Sequence, residues 1–356
     1  MRSASNRSFA RATAFVLRSE GVHAMVSKDQ GCNDAGTARE ALVWLGGEVL
    51  PISRARISPL DRGFLFGDGV YEVVRFFSGV GIGLDLHVAR LGASLSQLRI
   101  SGLDPACLRT ISRTLLDANG LTDAAVYLQV SRGTASVRSH IPPAGIEPTI
   151  FAVATPCGGL EELERITTVH CAAARDERWL RCAIKSTSLL GSVLPMVEHS
   201  ATGAEEVILV RDGLVSEGTS SNVFVEVDGV LVTPPLNSEP SILHGVMRTR
   251  LLEGCIRGGV PCAVRPVTEA QLHASREVIV TASKRIYSAV TRLGDQPVGD
   301  GTIGPLARRA HAALLTRLRE EVAVGAAGVD DSIAGPSASA TSARDLATAA
   351  ASILAP

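Results

Sequence analysis

The sequence predicts a mixed α/β (α+β) chain with two domains, and three observations lead to this prediction. Strands occur in runs that several helices interrupt, and no internal repeat is present. A length of 356 residues suits roughly two domains, and 46% hydrophobic residues allow a sizeable core. We predict a small N-terminal α/β domain at 41–157 and a larger C-terminal domain at 158–324.

The elements of the first domain follow from apolar periodicity and turn residues. Two short apolar runs around Gly46-Gly47 predict a hairpin. The further predicted elements are a strand, turn and strand over 69–84, a helix over 87–100, a helix from Asp104-Pro105 to Asn119-Gly120, and strands over 124–133 and 149–156.

The second domain is predicted in the same way. It begins with a strand over 167–173 and a helix over 188–203. A β-rich stretch over 205–235 turns at Asp212-Gly213 and Asp228-Gly229. A helix over 245–259, a strand over 277–283 and a last helix over 305–322 complete the prediction.

Both ends of the chain differ from its middle. Residues 1–21 carry four arginines and several serines with no acid before Glu20, as in an organelle transit peptide. The other interpretation is that residues 1–40 are an extension without a targeting signal. The sequence therefore predicts a cytoplasmic protein, or a mitochondrial or plastid one if the extension is a transit peptide. Residues 325–356 are rich in Ala, Ser and Gly and are predicted to be a disordered tail, with a frayed last helix as an alternative.

Composition excludes several classes of protein. The formal net charge of −1 provides no electrostatic footprint for nucleic acid. No apolar run reaches the ~20 residues of a membrane-spanning helix. Seven scattered cysteines without CxxC spacing indicate free thiols in a reducing compartment and no zinc site.

Lys185 stands out in the stretch RCAIKSTSLLGSVLPMV, which is otherwise apolar or small up to Glu198. Only three of the 35 basic residues are lysines, so the chain uses arginine nearly everywhere that it needs a cation. Lysine, unlike arginine, can lose its proton when desolvated and act as a nucleophile. The other interpretation is a packed stem whose amine reaches water.

Four further segments hold unusual chemistry. Arg138 and His140 lie two residues apart, so alternation would turn both side chains the same way to bind a carboxylate, unless they are ordinary loop charges. Glu217 precedes four small polar residues and is either a turn residue or an acid aimed at a cofactor. Gly245 is predicted to begin a helix. The first amides of this helix form an anion site on one interpretation, and on the other this is an ordinary helix start. Tyr71 follows a Gly-Asp-Gly turn and on composition alone is a core residue.

Together with Lys185, these segments resemble the fold-type IV pyridoxal-phosphate enzymes, the class-IV aminotransferases. The resemblance covers about residues 42–300. The matching stretches are DRGFLFGDGVYEVVRFFSG, HVARL, YLQVSRGTA with the Arg-x-His that follows, RWLRCAIKSTSLLG, EGTSSNVF and ILHGVMR. Within the family, the RGTA and RWLRCAIKS stretches are most similar to bacterial D-amino-acid aminotransferases.

The resemblance implies roles for individual residues and a site in the cleft between the domains. Lys185 would form the Schiff base with pyridoxal 5′-phosphate and move the proton. Glu217 would keep the pyridine nitrogen protonated. Phosphate and ring would be bound by Arg90, Ser220, Ser221, Ser283 and the amides of Gly245, Val246 and Met247. Tyr71, Arg138 and His140 would bind the substrate α-carboxylate. In this family the carboxylate loop can come from the partner subunit, so a homodimer is implied.

The resemblance also implies an activity and leaves alternatives. The leading expectation is D-alanine plus 2-oxoglutarate giving pyruvate and D-glutamate by a ping-pong mechanism. A branched-chain L-aminotransferase and an aminodeoxychorismate lyase of the same family are alternatives, and a binding protein that has lost catalysis is a third. Met247 replaces the usual threonine of the phosphate site, and Ser283 or Lys284 is expected to compensate.

Overall fold

The computed structural model describes residues 40–236 and 238–329. The predictions for residues 1–39 and for the tail from residue 330 lie outside the described residues. Among the described residues, no helix combines the length and the apolar character that a bilayer crossing requires. The same residues contain no cluster of three His, Cys, Asp or Glu side chains that could hold a metal ion.

The first half of the described chain builds a six-stranded antiparallel sheet in the order β2-β1-β6-β5-β3-β4. Its strands are β1 (Leu42–Leu45), β2 (Glu48–Pro51), β3 (Gly69–Phe77), β4 (Val80–Gly81), β5 (Ala124–Ser131) and β6 (Thr149–Pro156). Its helices are α1 (Arg62–Phe66), α2 (Leu84–Leu98) and α3 (Cys107–Asn119). Apolar residues of α2 and α3 pack with strand residues in one buried cluster.

The second half builds a nine-stranded mixed sheet in the order β12-β11-β10-β13-β14-β7-β8-β9, with β15 paired to β14. Its strands are β7 (Thr167–Arg175), β8 (Glu206–Arg211), β9 (Leu214–Gly218), β10 (Asn222–Val227), β11 (Val230–Thr233), β12 (Cys262–Val264), β13 (Val278–Thr281), β14 (Ser288–Leu293) and β15 (Gln296–Pro297). Its helices are α4 (Leu190–His199), α5 (Val246–Arg257), α6 (Glu269–Ala274) and α7 (Pro305–Val329).

Every long predicted element is present in the structure. Asp212-Gly213 and Asp228-Gly229 have positive φ at both residues, as a two-residue hairpin turn of the predicted kind requires. The boundary predicted near residues 157–165 falls between β6 and β7, which belong to different sheets. The division into two domains itself stays a prediction.

The helices differ from the sequence prediction in two places. The folded part was expected to end near Val324, whereas α7 continues to Val329. Alanine is a strong helix former, and Gly325 lies so close to Val80 that an added Cβ would overlap its side chain. No helix was predicted ahead of the Gly67-Asp68-Gly69 turn, whereas residues 62–66 form the short helix α1, in which the Gly63 amide donates to the Asp61 side chain.

Candidate active site

A cleft of about 280 Å³ collects most of the chemically unusual residues. It is lined from the six-stranded side by residues near β3 and α2, and from the nine-stranded side by the ends of β9 and β13 and the start of α5. Its polar and sequence-predicted lining residues include Tyr71, Arg90, Arg178, Lys185, Glu217, Ser220, Ser221, Asn222, Gly245, Val246, Met247, Thr281 and Ser283.

Lys185 is positioned by its backbone, which runs beside the start of β3. The Tyr71 amide donates to the Lys185 carbonyl at 3.0 Å, and the Thr187 amide donates to the Gly69 carbonyl at 3.0 Å. The Lys185 amide donates to Ser94 Oγ at 3.2 Å. The preceding residue, Ile184, is buried in the apolar cluster of the first sheet. The buried Ile184 side chain and these backbone hydrogen bonds therefore anchor the segment, and the Lys185 amine lies in the cleft.

The surroundings of Lys185 favour its neutral form. Burial and the nearby Arg90 guanidinium lower the pKa of Lys185 to about 8, although Glu72 and Glu217 oppose this. The amine nitrogen lies 4.3 Å from the centroid of the Tyr71 ring. An amine that is partly neutral near pH 8 is a competent nucleophile and base.

Arg90 is fixed by a buried carboxylate rather than free in the cleft. Its Nε and Nη2 donate to Glu72 at 2.8 and 2.7 Å, and its Nη1 donates to the His244 carbonyl at 2.7 Å. His87 shares Glu72 at 2.6 Å. Burial works against the Glu72 carboxylate, but Arg90 and His87 more than offset it and lower the pKa of Glu72 to about 2. Glu72 therefore stays charged and holds the guanidinium toward the cleft.

The start of α5 and two side-chain hydroxyls line the same part of the cleft and have the chemistry that suits an anion. The first amides of a helix have no acceptor within the helix, and α5 has no side-chain cap at Gly245. Ser221 Oγ and Thr281 Oγ1 also line the cleft, and both are buried without a hydrogen-bond partner in the described chain. Buried hydroxyls without partners are costly unless a ligand satisfies them.

Gly245 is required by close approach rather than by its φ. A Cβ at this position would lie 1.7 Å from Asn222 Oδ1. The Asn222 amide in turn donates to the Leu243 carbonyl at 3.0 Å and to Glu217 Oε2 at 3.2 Å. The bare backbone at Gly245 thus lets the helix start sit beside Glu217.

Glu217 is buried near the end of β9, and three hydrogen bonds from the protein hold its carboxylate in place. Its Oε2 accepts the Leu243 amide at 2.9 Å, and its Oε1 accepts Arg178 Nη1 at 2.8 Å. Burial raises the pKa of Glu217 above its ordinary value, and the charge of Arg178 is the strongest opposing effect. A buried carboxylate in a cleft suits a cationic ligand group.

The remaining predicted phosphate ligands differ in whether they line the cleft and in whether their side chains are free to bind a ligand. Ser220 lines the cleft, but its hydroxyl donates to Glu206 at 2.7 Å. Ser283 lines the cleft, whereas Lys284 is exposed and does not line it. Met247 contributes backbone only, because its side chain is buried in an apolar cluster beside α5.

Arg138 and His140 are brought together, but they do not line the cleft of their own chain. Both contact the Phe66 ring, the Arg138 guanidinium at 4.8 Å and the His140 ring at 5.6 Å between centroids. Arg62 holds this loop, donating to the carbonyls of Ser139 and His140. Tyr71 is the one member of the predicted carboxylate trap that lines this cleft.

Sequence reasoning gave no role to several residues that line the cleft or hold a residue that lines it. Thr281 ends a buried strand and has the pattern of a strand residue, and Arg178 is one of 32 arginines in the chain. Glu72 lies inside a continuous buried strand, where a carboxylate is rare unless paired. That rarity was the one signal in the sequence that could have indicated Glu72.

Comparisons with known proteins identify the family to which the chain belongs. The model of the family Amino-transferase class IV matches residues 69–293. The chain belongs to the class IV aminotransferases. It is 37% identical over 282 residues to the D-alanine aminotransferase of Bacillus licheniformis, covering 79% of this chain and 98% of that protein. It is 34% identical over 275 residues to the D-alanine aminotransferase of Staphylococcus aureus strain MW2, covering 75% and 94%.

Solved structures show the same fold. The branched-chain amino acid aminotransferase of Escherichia coli superposes with a TM-score of 0.71 at 24% identity, over 78% of this chain and 94% of that one. A hypothetical aminotransferase from Mycobacterium tuberculosis, in its PLP-bound form, gives a TM-score of 0.65 at 24% identity, over 78% and 99%. The fold is therefore that of the fold-type IV aminotransferases, and the chain is an enzyme of this class.

Class IV aminotransferases use pyridoxal phosphate, and the cleft fits this cofactor. The two unpartnered hydroxyls and the start of α5 suit a phosphate dianion. The buried Glu217 carboxylate suits a protonated ring nitrogen. Lys185 supplies a primary amine with a lowered pKa for the aldehyde.

Proposed function

We propose that this aminotransferase acts on D-amino acids, transferring the amino group of D-alanine to 2-oxoglutarate to give pyruvate and D-glutamate. The observation that carries the proposal is the identity of 32 to 37% to proteins named D-alanine aminotransferase over at least three quarters of the chain. The Arg138-His140 pair beside Phe66 supports it, because a guanidinium and a neighbouring imidazole can bind the carboxylate of a small substrate.

The residue assignments are part of the same proposal. Arg90, Ser221, Thr281, Ser283 and the amides of Val246 and Met247 would hold the phosphate of pyridoxal phosphate. Ser220 and Gly245 line that site, and Glu217 would hold the ring nitrogen. When bound, the cofactor draws electrons away from the Cα of the amino acid joined to it.

Lys185 carries the proton transfer in this proposal. Its Nζ takes the proton at the substrate Cα, which requires a neutral amine, and a pKa of about 8 makes that form accessible near neutral pH. Arginine cannot replace it, because a guanidinium does not release its proton. The Tyr71 ring beside Nζ restricts where the amine can point.

A second copy of the chain would complete the carboxylate site. Arg138 and His140 lie outside the cleft of their own chain, on a loop that Arg62 holds in place. Helix α4 carries an exposed apolar stripe with i, i+3, i+4, i+7 spacing, formed by Leu190, Val193, Leu194 and Val197. Such a stripe is typical of a helix that packs against another subunit. We propose a homodimer in which this loop faces the partner's cleft.

Steady-state turnover of matched substrates tests the proposed function. Purified enzyme with pyridoxal phosphate and 2-oxoglutarate should release pyruvate from D-alanine, and Lys185→Ala should not. L-alanine and L-leucine with the same acceptor, and aminodeoxychorismate alone, are the comparison substrates. Turnover of L-leucine without turnover of D-alanine would transfer the assignment to branched-chain L-amino acids. Pyruvate released from aminodeoxychorismate alone would favour the lyase.

A further inference from the structure

Arg178 bridges the cleft carboxylate Glu217 to a second buried carboxylate. Its Nη1 lies 2.8 Å from Glu217 Oε1, and its Nε and Nη2 lie 3.0 and 3.1 Å from the two oxygens of Asp176. Two parallel bonds to Asp176 fix the plane of the guanidinium, so the third group points at Glu217 in one orientation. The Arg178 side chain is 12% exposed and lines the cleft.

Asp176 is itself fixed from the side away from Glu217. Ser216 Oγ donates to it at 2.9 Å, Arg211 Nη2 forms an ion pair with it at 3.0 Å, and the Asp176 side chain has no exposed surface. Burial would raise the pKa of Asp176, but Arg178, Ser216 and Arg211 together lower it. Asp176 is therefore a charged and rigid support for Arg178. None of these contacts is needed to hold a phosphate or a substrate.

The bond from Arg178 to Glu217 affects where the proton between Glu217 and a cofactor ring nitrogen lies. A buried carboxylate beside a pyridine-type ring nitrogen shares a single proton with it, which rests either on the carboxylate or on the nitrogen. Burial alone favours the neutral carboxyl. A direct bond from a guanidinium favours the carboxylate, because a charge-assisted bond is about twice as strong as a bond to a neutral carboxyl.

We propose that Arg178, held by Asp176, is a positioning residue that keeps this proton on the ring nitrogen of pyridoxal phosphate rather than on Glu217. The inference rests on the proposed assignment of the ring nitrogen to Glu217. Arg178 acts through Glu217 and without contact to substrate. Its effect is on the electron-withdrawing strength of the ring, because a protonated ring withdraws electrons more strongly than a neutral one.

The ¹⁵N chemical shift of the ring nitrogen reports the position of the proton directly. Apoenzyme is reconstituted with ¹⁵N-labelled pyridoxal phosphate and the spectrum is recorded across neutral pH. Wild-type enzyme should show the shift of a protonated ring, and Arg178→Met should move it toward that of a neutral ring. The kcat of Arg178→Met should fall by about 10- to 100-fold, the value of one charge-assisted bond, with a smaller change in KM.

Arg211→Met is the matched control. Arg211 is as buried as Arg178 and pairs with the same Asp176 oxygen, but it makes no bond to Glu217. Both variants should lower the unfolding temperature, because each leaves Asp176 short of a partner. Arg178→Met should move the ring nitrogen shift further than Arg211→Met, because Arg211 acts on Glu217 only through Asp176 and Arg178. An equal shift in both variants would mean a general structural effect and would overturn the inference.

Two further variants separate this inference from the site assignment. Glu217→Gln must move the ring nitrogen shift if Glu217 is its partner, and an unmoved shift would remove both the assignment and the inference. A shift that moves in Glu217→Gln but not in Arg178→Met would overturn the inference alone. If Arg178→Met does not fold, Arg178→Lys and Asp176→Asn replace it, with an intermediate shift expected for each and an unmoved shift in both counting against the inference.

Discussion

The amine nitrogen of Lys185 lies 4.3 Å from the centroid of the Tyr71 ring, and the backbones of the two residues are joined by a 3.0 Å hydrogen bond. The amine is therefore held against an aromatic face in a cleft that also contains the Arg90 and Arg178 guanidinium groups. Burial and the nearby Arg90 charge favour the neutral amine, and this is the property on which the proposed chemistry depends.

The titration of Lys185 in the apoenzyme is the first prediction. Burial and Arg90 disfavour the ammonium, so its folded pKa of about 8 lies below the ~10.4 of an unfolded lysine. Amine-directed labelling at Lys185, quantified by peptide mass spectrometry, should therefore rise as pH passes through about 8. Denatured protein provides the reference. Labelling of the folded protein that follows the denatured profile would contradict the account.

Glu72→Gln should move that midpoint further down. Glu72 raises the pKa of Lys185, so removal of its charge leaves burial and Arg90 with less opposition. The measurement is the same labelling profile. Glu253→Gln is the control, because Glu253 also pairs with arginines, Arg250 and Arg317, but is not among the charges that act on the pKa of Lys185. A midpoint that rises in Glu72→Gln would show that Glu72 acts on Lys185 in the opposite direction.

Thr281→Val and Ser221→Ala should each weaken pyridoxal phosphate binding. Their hydroxyls have no partner in the described chain, and a bond to a phosphate contributes about 1.5–3 kcal/mol. The dissociation constant from titration of apoenzyme should rise by about 10-fold or more in each variant. Ser112→Ala is the matched control, since its hydroxyl is also buried and without a partner in the described chain but lies in α3. An equal loss in Ser112→Ala would mean that the effect is not local.

Complementation between two impaired chains tests whether Arg138 acts across a dimer. Lys185→Ala alone should be inactive, and Arg138→Ala alone should have a KM raised by about 10- to 100-fold for donor and acceptor. A mixed dimer has one cleft with an intact Lys185 and an intact Arg138 only if the loop comes from the partner. Co-expression should then restore turnover at low substrate concentration. No restoration by a mixed dimer of verified composition would place Arg138 in the cleft of its own chain, or outside the site.

The local sequence correctly predicted the helices and strands that have a long apolar periodicity or end at a well-defined turn. The Asp-Gly turns of the second sheet and the Gly120 end of α3 are set by backbone conformations that few residues adopt, so sequence alone locates them. Strands β12, β14 and β15 and helix α6 were missed. All except β14 are short, and β14 is paired with neighbours far away in the chain. Strand β14 pairs with both β13 and β7.

Some residues of the candidate site could likewise be predicted from local sequence, and others could not. Lys185 could be predicted, because a single lysine in an apolar run of an arginine-rich chain needs a reason. The pairing of Arg178 with Glu217 could not, since 39 residues separate them and only the fold joins them. Arg138 and His140 were predicted to lie on one side, and both contact Phe66. Their position outside the cleft of their own chain has no signature in the sequence, because it depends on how the whole loop folds.

The visible absorption of the bound cofactor during a single half-reaction tests the central claim most directly. Enzyme saturated with pyridoxal phosphate is mixed with D-alanine or with L-alanine, without a 2-oxo acid, and its absorbance is followed. The account predicts that D-alanine abolishes the yellow band, that L-alanine leaves it unchanged, and that 2-oxoglutarate restores it. A band that disappears with L-alanine and persists with D-alanine would contradict the proposed chirality while leaving the aminotransferase class intact.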